Sequence, residues 1–116
     1  MHELLQHFPD AKVVLQYPIW YSPNTHNGSR YLQEGLSRLE TYYPQLDELV
    51  KKFAISDPNH VYSGSKSGVE IFRKKKEELL IAENGNSGIF YLHPNENGSK
   101  ELAKIWVEGI KTAIGK

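Results

Sequence analysis

The sequence predicts an α/β fold with parallel strands, and three observations support this prediction. Helix-like and strand-like segments alternate along the chain, as they do in layered α/β proteins. The stretch AKVVLQYP at 11–18 is short, rich in β-branched residues and nearly continuous in apolar character, which is typical of a strand covered on both faces. The longer segments carry apolar residues at three- and four-residue spacing, which predicts helices with one buried face.

Size and composition indicate a single domain over residues 1–116. The chain has no internal repeat, and its fourteen basic and fourteen acidic side chains give zero formal charge. Nucleic-acid-binding domains usually carry a basic excess, so no nucleic-acid partner is expected. The absence of cysteine excludes disulfides and thiolate catalysis. No apolar run reaches the roughly 20 residues of a membrane span, and no basic-then-apolar leader opens the chain.

A short helix end, MHELLQH, precedes the first strand, and Pro18 ends that strand because proline donates no ladder hydrogen bond. The next loop, IWYSPNTHNG at 19–28, is aromatic and rich in turn residues. Loops after the carboxyl ends of parallel strands form ligand crevices, so this loop is a candidate wall of a site. Its aromatic rings suit stacking on a sugar and equally suit packing beneath the loop, and its histidine suits substrate contact or a plain surface position. The candidate substrate-binding residues are Trp20, Tyr21, Asn24 and His26.

Three helical segments and two further extended segments follow. In the first helical segment Pro44 predicts either a kink or a second helix that begins there. HVYSG at 60–64 is a candidate short strand, and IFYL at 89–92 is a short extended run that ends at His93-Pro94. A helix is expected over about 68–80, with Val69, Phe72, Leu79 and Leu80 inward. The last helix is expected over about 96–114, with an inward face of Leu102, Ile105, Trp106, Ile110 and Ala113. Two strands do not hold a parallel sheet together alone.

The stretch FYLHPNENGSKEL at 90–102 contains the candidate catalytic residue, His93. Pro94 biases His93 toward an extended backbone. Asn95 is suited to cap the last helix, and Gly98 would permit close approach of a neighbouring element. These residues hold His93 at a helix entrance, where a general base can meet a proton. From the residues alone, a loop histidine satisfied by backbone groups is the alternative.

YLHPNENGSKELAKIW resembles the last conserved block of the SGNH, or GDSL, hydrolases, which runs Asp-x-x-His-Pro, usually with Asn next, then a Gly and a helix that carries Leu-Ala. HFPDAKVVLQYP resembles a later central strand of that family, and YPIWYSPNTHNGSRYLQEGL is similar to a subgroup of these esterases. The resemblance implies a flavodoxin-like three-layer α/β/α sandwich. It also implies hydrolysis of a carboxylic ester, often an acyl group on a sugar, with His93 as catalytic base and neither cofactor nor metal. The residues that fit the block are His93, Pro94, Asn95, Gly98, Leu102 and Ala103.

The chain departs from the family pattern in two ways. Phe90 stands three residues before His93, where the family has the Asp that orients the imidazole. Glu83 or a backbone carbonyl would have to replace that carboxylate. The Gly-Asp-Ser nucleophile motif and the oxyanion Gly and Gly-x-Asn motifs of the family are also missing from the sequence.

The chain therefore resembles the C-terminal half of such a domain, with the base and without the nucleophile. An incomplete sheet exposes an unpaired edge, so a homo-oligomer that pairs these edges is expected. Many members of the family are exported, which is compatible with a periplasmic or secreted parent protein. Two alternatives stay open, a flavodoxin-like binding or interaction domain whose His-Pro-Asn loop only caps a helix, and a relic that kept the packing and lost the chemistry. Phe90 at the Asp position slightly favours the relic over an intact enzyme.

Overall fold

A computed structural model describes residues 1–27 and 29–115. It is a mixed α/β structure with small sheets, and the short N-terminal helix expected from MHELLQH is present. The elements run in the order α1 (His2–His7), β1 (Val13–Leu15), β2 (His26–Asn27), β3 (Ser29–Arg30), α2 (Leu32–Glu40), α3 (Tyr42–Ser56), β4 (Val61–Ser63), α4 (Ser67–Lys74), α5 (Lys76–Leu79), β5 (Leu80–Gly85), β6 (Gly88–Pro94) and α6 (Glu96–Ala113).

β1 and β4 form a parallel pair, with Val13 opposite Val61 and Leu15 opposite Ser63. Successive strand side chains point to opposite faces. Val13 and Leu15 pack with a cluster that includes Phe53 and Val50 of α3, whereas Val14 faces α6, since a Cβ on Gly109 would lie 3.4 Å from its Cγ1. One helix therefore covers each face of this pair. Within the described residues, the parallel sheet has these two strands alone.

β5 and β6 form an antiparallel hairpin, with Gly85 opposite Gly88 across the two-residue turn Asn86–Ser87. Ile89–Leu92, expected as a short extended run, lies in β6 and pairs with β5, so it adds no strand to the parallel pair. Gly88 adopts a φ of +92°, and a glycine is suited to this left-handed conformation because it has no Cβ. The two short strands β2 and β3 also pair with each other in antiparallel orientation.

The first helical segment is divided into two helices at Thr41, which confirms the two-helix alternative. α3 begins two residues before Pro44, so the proline stands in the first turn, where its missing N–H costs no intrahelical hydrogen bond. The Thr41 hydroxyl donates a 2.6 Å hydrogen bond to the Arg38 carbonyl at the end of α2.

The main core lies between α2, α4, α6 and the hairpin. Phe72 of α4 is fully buried at its centre, and Trp20 of the loop after β1 is buried beside it, with 7% of its surface exposed. α6 contributes Ile105, and partly buried Leu102 packs against the same cluster. The other buried members of the cluster are Leu36, Leu79 and Leu80.

The expectation that Trp106 and Ile110 face inward is wrong. Both are about half exposed, and the inward face of α6 contains Ile105, Gly109 and Ala113. A Cβ on Gly109 would lie only 2.9 Å from the Cα of Gly64, so the helix approaches β4 through its smallest residue. This contact sets the rotation of α6 and turns its largest apolar side chains toward solvent.

The described chain is elongated, with principal extents of 47 × 27 × 22 Å. Its radius of gyration is 16.4 Å, whereas a compact domain of this length has a radius of about 13 Å. Several large apolar side chains are exposed, among them Ile55 of α3 and Phe8. Among the described residues, no helix is both long enough and apolar enough to cross a bilayer.

Candidate active site

The entrance of α6 is fixed by side-chain and backbone hydrogen bonds. Asn95 caps the helix, because its Oδ1 accepts a 2.8 Å hydrogen bond from the backbone N–H of Gly98. Its Nδ2 donates to the carbonyl of Glu78 at 2.8 Å, and its backbone N–H donates to the carbonyl of Leu79 at 2.9 Å. A Cβ on Gly98 would lie 1.9 Å from that Leu79 oxygen. These contacts confirm the predicted cap and close approach, and they hold the backbone two residues after His93.

A β-bulge sets the direction of the His93 side chain. Ala82 pairs with Tyr91 and Leu80 with Pro94, so the register shifts by one residue between these pairs. Leu92 and His93 of β6 therefore both lie opposite the single residue Ile81 of β5. In a regular ladder His93 would project from the face opposite to Glu83, since side chains alternate along a strand. The extra residue shifts this alternation by one and brings His93 to the side of Glu83, as bulges near active sites do.

His93 and Glu83 form a carboxylate–imidazole pair, with Nδ1 2.9 Å from Oε2. The Glu83 side chain is 26% exposed and the His93 side chain 63% exposed. An ionised carboxylate only accepts hydrogen bonds, so a neutral His93 carries its proton on Nδ1 and leaves the lone pair of Nε2 available. Among the described residues, Nε2 has no hydrogen-bond partner. The geometry suits a general base whose tautomer is fixed by a carboxylate.

Phe90 occupies the position that would hold the orienting Asp, and it serves the core. Its side chain is 2% exposed and packs over Gly85, where a Cβ would lie 2.6 Å from the ring. Glu83, its ladder partner on β5, carries the carboxylate instead. The replacement by Glu83 considered from the sequence is thus the one that the geometry shows.

The loop after β1 holds the hairpin turn through two of its predicted substrate-binding residues. The Asn24 amide donates to the carbonyls of Ile89 at 2.6 Å and Ser87 at 3.3 Å. His26 Nδ1 lies 3.3 Å from the Ser87 hydroxyl. Both donors of the Asn24 amide are thus used within the protein, which gives Asn24 a positioning role. Trp20 lies in the core. Its ring therefore packs beneath the loop, which was the alternative to stacking on a sugar.

Tyr21, the remaining candidate, lines an open cleft of about 330 Å³ between the loop, α2 and β6. Leu92 forms the wall of this cleft on the hairpin side, directly before His93. The sequence analysis did not identify the other residues of the cleft. A signal was present, because Tyr31, Gly35, Arg38 and Tyr42 recur at three- and four-residue spacing. The cleft is lined by Tyr21, Tyr31, Gly35, Arg38, Leu39, Tyr42 and Leu92.

A second polar cluster lies where the parallel strands end. The Tyr17 hydroxyl donates to Asp47 Oδ1, and Lys66 Nζ lies 2.6 Å from Asp47 Oδ2 and 5.2 Å from the centre of the Tyr17 ring. The hydrogen bond from Lys66, together with that from Tyr17, lowers the pKa of Asp47. Burial, followed by the hydrogen bond to Asp47, raises the pKa of Tyr17. The cluster joins α3 to the loop after β1 and to the loop before α4. Its polar groups bond to one another.

No serine or threonine hydroxyl makes a hydrogen bond to His93 within the described part of the chain. The buried Ser22 hydroxyl accepts from the backbone N–H of Tyr91, and the Ser65 and Ser67 hydroxyls bond to each other at 2.9 Å. Across residues 1–27 and 29–115, no three His, Asp or Glu side chains are grouped to hold a metal ion. A larger cavity, of about 660 Å³, is lined by α3 side chains alone, and neither His93 nor Glu83 lines it.

No family model, no curated protein and no solved structure matches the chain.

Proposed function

We propose that this chain supplies the general base of an SGNH-type ester-hydrolase site, with His93 as the base and Glu83 as the residue that orients it. The observation that carries this proposal is the 2.9 Å contact between His93 Nδ1 and Glu83 Oε2, on a histidine side chain that is 63% exposed. The position of His93 at the capped entrance of α6 fits the His-Pro-Asn block that the sequence shares with that family. In this proposal the described chain is the C-terminal half of a flavodoxin-like α/β/α domain.

The chemical steps follow those of serine esterases. Nε2 takes the proton of a serine hydroxyl while its oxygen attacks the ester carbonyl carbon. The imidazolium then returns that proton to the departing alcohol, which leaves an acyl-serine. Nε2 next takes a proton from water as the water attacks the acyl carbonyl carbon, and the imidazolium then gives that proton to the departing serine oxygen, which leaves the carboxylic acid, the free serine and a neutral His93. Glu83 stabilises the imidazolium in both halves. None of the hydrogen bonds described above brings a serine to Nε2, so the proposal requires a serine that is not bonded to His93 in this structure.

The test uses p-nitrophenyl acetate, an activated ester. A positioned imidazole can activate water against this ester directly, so the assay does not depend on the serine. Water attacks the carbonyl carbon, Nε2 takes the water proton, and acetate and p-nitrophenolate are released. The chain should release p-nitrophenolate faster than buffer does, and His93→Ala should abolish the excess rate. General-base catalysis typically contributes about 10²–10⁴-fold.

His60→Ala is the matched control, because the His60 ring is bonded through Nδ1 to the Ala11 carbonyl at 2.8 Å and lies outside the hairpin. His60→Ala should keep the wild-type rate. If both variants keep that rate, or both lose it, His93 is not the base.

The antiparallel pairing of β6 with β5 favours a second candidate, a non-catalytic binding domain. This pairing departs from the parallel sheet of the sandwich that the resemblance implies. Under this alternative the chain binds a small ligand next to Leu92 and shows no hydrolysis above background. The two candidates are separated by combining the p-nitrophenyl acetate assay with the binding experiment described below.

The homo-oligomer expected from the sequence is proposed to form through the open edge of β1. The Val13 N–H donates to His60 O, and the Gly64 N–H donates to Leu15 O. In a parallel ladder the residue between two bonded ones faces the other way, so the Val14 N–H and C=O face the open edge. Val14→Pro removes that donor, and light scattering should show a dimer for wild type and for Val14→Ala but a monomer for Val14→Pro. A monomeric wild type would contradict this mode of assembly.

A further inference from the structure

The cleft beside the His93–Glu83 pair has a composition that the ester chemistry alone does not require. Tyrosine rings and apolar side chains form most of its lining, with Arg38 as the charged group. No aspartate or glutamate lines it, and within the described residues Arg38 makes no salt bridge. A guanidinium in such surroundings favours a planar anion that accepts two parallel hydrogen bonds, most simply a carboxylate.

The tyrosines specify the rest of the ligand. The Tyr21 and Tyr31 rings lie 6.0 Å apart at an angle of 60°, so together they form two tilted walls. Tyr31 and Tyr42 are exposed, and their faces are open to a ring-shaped ligand. The Tyr21 hydroxyl lies over α2, only 2.7 Å from the position that a Cβ on Gly35 would take. The volume, about 330 Å³, is at the small end of ligand pockets and fits one six-membered ring with its substituents.

We propose that this cleft, formed by Tyr21, Tyr31, Arg38, Tyr42 and Leu92, binds a six-membered ring that carries a carboxylate. The carboxylate pairs with Arg38, and the ring lies against the tyrosine faces. Leu92 and His93 are adjacent in the bulge that lies opposite Ile81. A ring held against Leu92 would therefore lie next to the residue that precedes the base. This assignment rests on the proposed function in that it names the non-acyl part of the ester substrate as an acidic ring compound.

Two kinds of compound carry this chemistry, a sugar acid and an aromatic acid, and the test includes both. Isothermal titration calorimetry with methyl β-glucuronide, methyl β-glucoside and benzoate compares ligands with and without the carboxylate. The glucuronide should bind at least about tenfold more tightly than the glucoside, because hydrogen bonds to charged groups are the strong ones. Benzoate that binds more tightly than the glucuronide would identify the aromatic acid as the ligand. Failure of both acids to bind would overturn the assignment.

Arg38→Gln should weaken binding of the acid about tenfold and leave the glucoside unchanged. The matched control is Arg73→Gln, because Arg73 is bonded to Glu70 on α4 and does not line the cleft. Equal losses in both variants would mean that net charge, and not this cleft, determines binding. Tyr42→Ala should also weaken binding, and its folded state is checked by circular dichroism.

The His93→Ala variant separates this inference from the proposed function. If it binds the acid with the wild-type Kd while neither protein hydrolyses p-nitrophenyl acetate, the cleft stands and the esterase proposal fails. If the wild type hydrolyses the ester and binds neither acid, the esterase proposal stands and the assignment of the cleft fails.

Discussion

The parallel pair β1–β4 and the hairpin β5–β6 differ in how burial is distributed along their strands. Each strand of the parallel pair has three residues, and every residue of β1 is only half buried. The hairpin strands have six and seven residues, and they carry Leu80 and Phe90, which are almost fully buried. No residue of the parallel pair is exposed, whereas six of the thirteen hairpin residues are. The parallel pair is thus evenly covered, and the hairpin concentrates its burial in these two side chains.

This contrast places the candidate chemistry next to the most deeply buried side chain of the hairpin strand β6. A general base must be held by residues whose own positions are fixed. His93 lies between the buried Phe90 and the capped entrance of α6, whereas the ends of the parallel strands hold the Tyr17–Asp47–Lys66 cluster. Hydrogen-bond geometry at His93 therefore depends on the packing of the hairpin more than on the parallel sheet.

The largest effect is expected from Phe90→Ala. Removal of a fully buried aromatic ring costs about 3–5 kcal/mol, and this ring fills the space over Gly85. Its neighbour Ile89 is 54% exposed, so Ile89→Ala should change the free energy of unfolding by less than about 0.5 kcal/mol. Urea unfolding followed by circular dichroism measures both variants. Similar values for the two would contradict the burial of the Phe90 ring.

A smaller loss of stability, about 1–3 kcal/mol, is expected from Gly98→Ala. The new Cβ would lie 1.9 Å from the Leu79 carbonyl oxygen, so α6 must move away from α5. Ser99→Ala, at the next and exposed position, is the control and should be near neutral. Amide hydrogen exchange should show the first turn of α6 opening more readily in Gly98→Ala alone. Unchanged protection there would contradict the close contact.

The smallest expected effect is the loss of stability at acid pH that the Asp47 cluster contributes. The pKa of Asp47 is lowered in the folded protein, chiefly by the hydrogen bond from Lys66. The stability that it contributes is therefore present above its ordinary pKa of 3.8 and is lost as the pH falls through the lowered value. Wild type should lose more stability on acidification below about pH 4 than Asp47→Asn does. Asp10→Asn, at an exposed carboxylate, should follow the wild-type curve.

Much of the helical structure could be predicted from the sequence because it depends on local signals. The apolar stripe from Leu32 to Phe53, the break near Pro44 and the cap at Asn95 are all formed within a few turns of helix. The burial of Phe72, Leu79 and Leu80 was likewise predicted from their spacing. These features need no knowledge of distant contacts.

The hairpin could not be predicted in the same way. LIA at 80–82 continues the helical pattern before it, and the turn signal Asn84-Gly85 stands two residues before the observed turn, Asn86–Ser87. The bulge at Leu92–His93 depends on how the two strands pair, so no single residue predicts it. The rotation of α6 likewise depends on the contact between Gly109 and Gly64. The spacing of Trp106 and Ile110 fits a buried stripe, and the contact between Gly109 and Gly64 is what turns both side chains toward solvent.

The central claim is that Glu83 fixes the tautomer of His93, and nitrogen chemical shifts of the histidine ring test it directly. In protein labelled with ¹⁵N, long-range ¹H–¹⁵N correlation spectra recorded at alkaline pH report which ring nitrogen carries the proton. The account predicts the proton on Nδ1 in wild type and a shift toward Nε2 in Glu83→Ala, with both proteins folded. A wild-type His93 protonated on Nε2, or spectra identical in the two proteins, would contradict it.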